Sequence, residues 1–216
     1  MYSVHSVNDL EKREDRLTLE LLGAIERRCD VSQRHLARQM GVALGLANSY
    51  LKRCAKKGLV KILEAPANRY LYYLTPRGFA EKARLTAQFL STSLTFYRQA
   101  GDSCNQVYAT CNANGWHRLI LCGLSDLAEI AFVRAMESTV EIVAVFDPMS
   151  SKKQLFSVSV CTEWQPLPSC DAYLITDLDN PVECYRWIAN KANDESILIP
   201  AVLGIEGVVN EGGAAG

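Results

Sequence analysis

Between residues 31 and 60 the chain reads VSQRHLARQMGVALGLANSYLKRCAKKGLV, and the spacing there leaves few folds open. Val31, Leu36, Ala37 and Met40 recur at helical intervals and share one face. Ser32 is placed to cap that helix. Gly41 ends it and Val42 plugs the turn. A second helix follows, with Leu46, Ala47, Leu51 and Cys54 inward and Gly58 as its stop. Two short helices around a tight glycine turn form a helix-turn-helix, the arrangement that sets the second helix in a DNA major groove.

The flanking segments extend this pattern. Leu10, Leu17, Leu21, Leu22 and Ile25 make an apolar stripe, which predicts a first helix over 8–28 with Asn8 as its cap. After Gly58, LVKILEA and YLYYLT read as strands joined by the turn PANR, with Pro66 and Asn68 as turn residues. Strand, turn and strand directly after a recognition helix form a β-hairpin wing. Pro76 and Gly78 interrupt the chain, and FAEKARLTAQFLSTSLTFYRQ continues as a helix. Phe79, Ala83, Leu85, Phe89, Leu90, Leu94 and Tyr97 give that helix many apolar positions, so it packs between domains or forms a dimer seam.

Charge divides the chain in two. Residues 1–100 carry 17 Lys and Arg against 9 Asp and Glu, a balance of +8, while residues 101–216 carry 6 against 15, a balance of -9. Phosphate contact needs positive charge, and the first half supplies it. At 49% hydrophobic and 22% charged the composition is that of a folded protein. No apolar run reaches the roughly 18 residues of a membrane span. The N-terminal MYSVHSVNDLEKRED lacks the apolar core of a secretion signal, so no membrane partner and a cytoplasmic location are expected. The eight cysteines include no CxxC pair, so no metal site is expected; they read as buried small apolar residues or a redox-sensing thiol.

Removing the apolar face of the second helix leaves Leu44, Gly45, Asn48, Ser49, Lys52 and Arg53 to meet double-stranded DNA. Asn pairs bidentately with adenine, and Ser bonds either base type. Lys52 and Arg53 suit phosphates or a guanine edge. Gln33 and Arg34 open the preceding helix and suit backbone contact, and Arg69 at the wing tip suits the minor groove.

On the strings SQRHLARQMGVALGLANSYLKRCAKKGLVKI and YLYYLTPRGFAEKARLTAQFL, residues 17–98 resemble the MarR-type winged-helix regulators, most of all the subgroup found with exopolysaccharide gene clusters. The resemblance implies transcription regulation by a homodimer on a palindromic operator. Ala43 departs from the pattern, standing where a Ser often caps the recognition helix, and Cys54 replaces a common Leu.

Residues 100–115, AGDSCNQVYATCNANG, read as a linker between a winged-helix domain over 1–99 and a second domain over 116–216. There RLILC, VEIVAVFD, LFSVSV, CDAYLITD and SILIPAVLGI alternate with helical segments, which predicts an α/β domain with a parallel sheet. The tail EGVVNEGGAAG reads as loose. RLILCGLSDLAEIAF resembles the first turn of Rossmann domains, with Gly123, Leu124, Ser125 and Asp126 in the phosphate loop and Asp147, 24 residues after Gly123, as the ribose acid. Ser125 stands where the middle glycine is expected. These residues suggest a nucleotide-type small-molecule effector.

Catalytic residues are not apparent. His5, His35 and His117 lie in no motif, and Asp177 and Asp179 read as caps of the next helix, with paired acids or a cation site as the alternative. The sequence thus predicts a DNA-binding regulator whose second domain senses a ligand or mediates oligomerisation. An enzyme acting on a nucleotide-sugar or dinucleotide, or a protein-interaction module, are the alternatives.

Overall fold

The computed structural model describes residues 3–66, 69–205 and 207. The chain divides into two compact units, Met1–Ser93 and Leu94–Gly216.

In the first unit α1 (Ser3–Arg27) is followed by α2 (Gln33–Gln39) and α3 (Leu44–Lys56), then by the hairpin of β1 (Val60–Ala65) and β2 (Arg69–Leu74). Helix α1 begins at Ser3, so Asn8 lies inside it rather than at its cap. Ser32 caps α2, its side chain accepting from the His35 N–H at 3.2 Å. Gly41 and Gly58 close α2 and α3 at φ values of +61° and +70°, a backbone region that glycine enters without steric cost. Ala43 is the N-cap residue of α3 and makes no side-chain cap bond. Leu17, Leu21, Leu22 and Ile25 of α1 pack with Leu36, Met40, Leu51 and Cys54 around Tyr72 of the wing. Leu46, expected inward, is exposed, and Tyr50 is buried in its place. From a helix start at Leu44, the inward face falls on Ala47, Tyr50, Leu51 and Cys54, three and four residues apart. Asn68 of the expected turn lies outside the described residues.

The hairpin pairs antiparallel from Val60 opposite Leu74 to Ala65 opposite Arg69. Thr75 then starts α4 (Pro76–Asn114): its hydroxyl donates to the Gly58 carbonyl at 2.6 Å and accepts from the Gly78 N–H at 3.0 Å. A Cβ on Gly78 would lie 2.0 Å from the Leu59 carbonyl oxygen, so the close approach of helix to wing needs glycine there. The LTPRG run thus holds a cap, a proline at the first helical position and a contact glycine.

Residues 100–115 are a correction. All but Gly115 form the last part of α4, which runs 39 residues or about 58 Å without a break. Ala100, Cys104, Val107, Tyr108 and Cys111 recur at helical spacing and are buried in the core of the second unit. The Tyr108 hydroxyl donates to the Ala131 carbonyl at 2.6 Å inside that core.

The second unit continues with β3 (Arg118–Cys122), α5 (Asp126–Ala135), β4 (Glu141–Phe146), β5 (Gln154–Leu155), β6 (Val158–Cys161), β7 (Ala172–Ile175), α6 (Pro181–Ala189) and β8 (Ile197–Leu198). The sheet order is β5-β6-β4-β3-β7-β8, all pairs parallel except β5 with β6. One face of the sheet is covered by α5 and the end of α4. The other is covered by α6 with an aromatic group, in which Phe146 stacks on Trp187 at 4.9 Å and Trp164 on Tyr173 at 5.2 Å. This is a mostly parallel α/β domain, as the alternation of the sequence predicts. The expected third strand is a two-part hairpin turning at Phe156, and the last is cut to two residues before a 3-10 turn. Most of the expected loose tail lies outside the described residues.

Candidate nucleic-acid interface and sheet-end crevice

In the first unit the start of α3, the start of α2 and the wing surround a groove of about 570 Å³ lined by Asp30, Gln33, Arg34, Leu44, Arg69 and Tyr70. Leu44, Gly45, Ser49 and Lys52 on α3, Arg34 on α2 and Arg69 on the wing are all exposed. Leu44 is 42% exposed, large for a leucine at a helix start, and offers methyl groups to a thymine methyl. Asn48 is half-buried, and its Oδ1 is buried with no hydrogen-bond partner. Asp30 does not leave its charge free in this basic groove. Arg28 donates to both of its oxygens, at 3.0 and 3.1 Å, and holds its carboxyl below the usual range.

Two residues expected to meet DNA have partners within the fold. Arg53 reaches back to α1, where its Nη1 donates to Glu14 Oε2 at 2.8 Å and its guanidinium lies 4.5 Å from the centre of the Tyr50 ring. That hydrogen bond lowers the Glu14 carboxyl and raises Arg53. One residue along a helix turns the side chain by about 100°, which separates Arg53 from the exposed Lys52. Gln33 Nε2 donates to the Tyr72 hydroxyl at 3.3 Å and ties α2 to the wing. Sequence reasoning did not name Arg38, Lys56, Lys57 and Lys61, all exposed on the same unit, although the +8 balance was their signal. His35 is half-exposed, and among the described residues no group of His, Cys, Asp and Glu is arranged to hold a metal ion.

In the second unit the strand order reverses between β3 and β7, where ligand crevices form in open parallel sheets. Gly123 turns there at φ +101°, and a Cβ on it would lie 2.6 Å from the Asp177 backbone. The Thr176 hydroxyl donates to the Gly123 carbonyl at 2.6 Å. Ser125 caps α5: its hydroxyl donates to the Thr176 carbonyl and accepts from the Leu127 N–H at 3.1 Å. Asp147 accepts from the Leu124 N–H at 2.9 Å and from the Met149 N–H at 2.9 Å. The backbone donor at Leu124, which a phosphate would require, is thus taken by a carboxylate of the chain itself. Asp126 is exposed beside it. Asp177 accepts from the Asp179 and Asn180 N–H groups at 2.8 and 2.9 Å, which makes a turn ahead of α6 rather than a helix cap. Cys184 donates to the Cys122 carbonyl at 3.6 Å, and its burial pushes the thiol up to about 12. His117 is at the opposite end of the strands, its N–H donating to Asp171 at 2.8 Å.

Residues 14–61 match a family model described as winged helix-turn-helix DNA-binding. The first unit therefore carries a winged helix-turn-helix DNA-binding domain. No curated protein is significantly similar to the chain. Among solved structures, the chain is similar to the PcaV transcriptional regulator from Streptomyces coelicolor in complex with its natural ligand. The identity is 18%, over 44% of this chain and 78% of that one, with a TM-score of 0.35. MepR, a transcription regulator of the Staphylococcus aureus multidrug efflux pump MepA, matches at 18% identity over 46% and 84%, with a TM-score of 0.35. Human N-acetylserotonin methyltransferase in complex with SAM matches at 13% over 92% and 80%, with a TM-score of 0.32. At these scores none of the three carries an argument about function. Among the described residues no helix is long and apolar enough to cross a membrane.

Proposed function

We propose that this protein is a transcriptional regulator of the MarR type that binds double-stranded DNA as a homodimer. The observation that carries the reading is the groove between α2, α3 and the wing, lined by the exposed Arg34, Leu44 and Arg69, with Ser49 and Lys52 exposed further along α3. Leu44 and Ser49 face base edges, and Arg34, Lys52 and Arg69 meet phosphates. A gel shift on random-sequence duplex at low salt tests it. Binding should weaken steeply with added salt. No retardation of any duplex at low salt would overturn the reading.

The α/β domain then serves as the sensing or assembling half, and the protein turns over no substrate. A small-molecule effector is favoured by one observation, the strand reversal between β3 and β7. There Asp147 ties the Leu124 N–H to the turn after β4, so that donor is not open to a phosphate. With Asp126, Asp147, Asp177 and Asp179 around the crevice, a neutral or cationic molecule meets less repulsion than a nucleotide phosphate. Native mass spectrometry of the purified chain tests this part; a retained nucleotide would count against it.

A further inference from the structure

Helix α4 carries an exposed apolar seam that the first unit leaves uncovered. Its positions are Ala80, Ala83, Ala87, Leu90, Leu94 and Tyr97, spaced alternately three and four residues apart. That is the repeat of two helices packed along their length. All six are exposed: Leu90 at 54%, Leu94 at 52% and Tyr97 at 42%, with the three alanines also open. On the opposite side of the same turns, Leu85 and Gly78 are buried in the first unit. The repeat continues through Gly101, Cys104, Tyr108 and Cys111, and these are buried in the α/β unit. The free seam therefore ends at Tyr97, whose ring is 5.7 Å from the Arg134 guanidinium.

The size order along the seam identifies what covers it. Its first three positions are alanines and its last three are large. Set two copies of this helix side by side and parallel, and the alanines meet alanines while the large residues meet large ones. One end gapes or the other is overfilled, and each is costly. Set them antiparallel about a two-fold axis between Ala87 and Leu90, and every layer pairs small with large. Ala80 meets Tyr97 of the second copy, Ala83 meets Leu94, and Ala87 meets Leu90. The flanking positions add no opposing charge at the centre, where Thr86 falls near Ser93 and Arg84 near Ser91. Arg84 is in any case paired with Glu81 on its own helix at 2.8 Å. Like charges approach only at the two ends, Arg77 beside Arg98, where solvent and salt screen them.

We propose that α4 is a self-recognition surface, pairing antiparallel with α4 of a second copy through these three small-to-large layers. This deepens the homodimer part of the reading above and does not depend on DNA binding. It is tested on the full chain without DNA. Sedimentation should show a dimer for the wild type. Leu90→Glu and Leu94→Glu should give monomers with an unchanged circular-dichroism spectrum, and Leu94→Met should stay dimeric. Ala83→Trp, at an exposed position the monomer tolerates, should also abolish the dimer by overfilling the layer with Leu94. Orientation is read by oxidative cross-linking of a chain carrying Ala83→Cys and Leu94→Cys, whose two positions are too far apart on one helix to bridge. A peptide linking 83 to 94 supports the pairing. A 94-to-94 link in the chain with Leu94→Cys alone overturns it, as does a monomeric wild type or a dimer that survives both glutamates. A DNA shift that persists in the monomeric variants would leave the regulator reading standing, so the two fail separately.

Discussion

Lys52 and Arg53 are adjacent and carry the same charge, but their surroundings differ. Lys52 is exposed beside Ser49, whereas Arg53 is paired with Glu14. Lys52→Ala should weaken DNA binding on every sequence and lower the slope of log affinity against log salt by about 1. Arg53→Ala should leave that slope unchanged and act only through a small loss of stability, because exposed ion pairs contribute little. Equal slopes for the two variants would show that Arg53 leaves Glu14 to meet DNA. At the crevice, Gly123 combines a positive φ with a backbone only 2.6 Å from where a Cβ would stand. Gly123→Ala should destabilise the α/β domain by about 2 kcal/mol or more, read from its urea transition, since alanine is strained there whatever the space.

At the level of single elements, the two helices of the DNA-binding motif start differently. Helix α2 has Ser32 as a side-chain cap and α3 has Ala43, which caps nothing. Ser32→Ala should cost about 1 kcal/mol, and Ala43→Ser should return a similar amount, both measured as shifts of thermal midpoint. A destabilised Ala43→Ser variant would mean that the serine cannot reach the open N–H groups. The same helices mark what the sequence discloses. Val31, Leu36, Ala37 and Met40 are buried as their spacing requires, because local amphipathicity and core burial coincide there. Leu46 and Tyr50 exchanged places because the periodic pattern fits either phase until the helix start is fixed. Residues 100–115 resemble a linker for another reason. Apart from Val107 and Tyr108, their inward face is built from Ala, Gly, Ser and Cys, small side chains that carry little hydrophobic signal, among Asn and Asp. Gly123, Ser125 and Asp147 stand out in the sequence and lie together at one end of the sheet. The hydrogen bonds that hold them, from the Leu124 N–H to Asp147, from Ser125 to the Thr176 carbonyl and from Thr176 to the Gly123 carbonyl, cross from the end of β3 to the ends of β4 and β7, and no local pattern reports such long-range pairing.

For the molecule as a whole, the buried thiols set a limit on the alkaline side. Burial pushes Cys104 and Cys111 up to about 11 and Cys184 to about 12, and Cys122 well above its ordinary value. In the unfolded chain a thiol titrates near about 8.5. Below that pH both states hold their protons and these groups leave stability unchanged. Above it the unfolded chain sheds protons that the folded chain keeps, so stability falls as pH rises towards the folded values. All three tryptophans, Trp116, Trp164 and Trp187, lie in the second unit, so their fluorescence follows that unit alone. Its urea midpoint should be flat from pH 7 to 8 and decline from pH 9 to 10, less steeply after Cys104→Ala. A midpoint flat to pH 10 would mean that these thiols are not shielded. The shared helix α4 has a further consequence, for how such a chain can be divided by cutting or by recombination. A break at residues 115–116, where the sequence expects the second domain to begin, would strip Ala100, Cys104, Val107, Tyr108 and Cys111 from the α/β core and leave a fragment with an open hydrophobic face. A portable version of that domain has to take its tenant helix with it, so in inheritance as in the laboratory the boundary between the two halves falls inside an element rather than between elements.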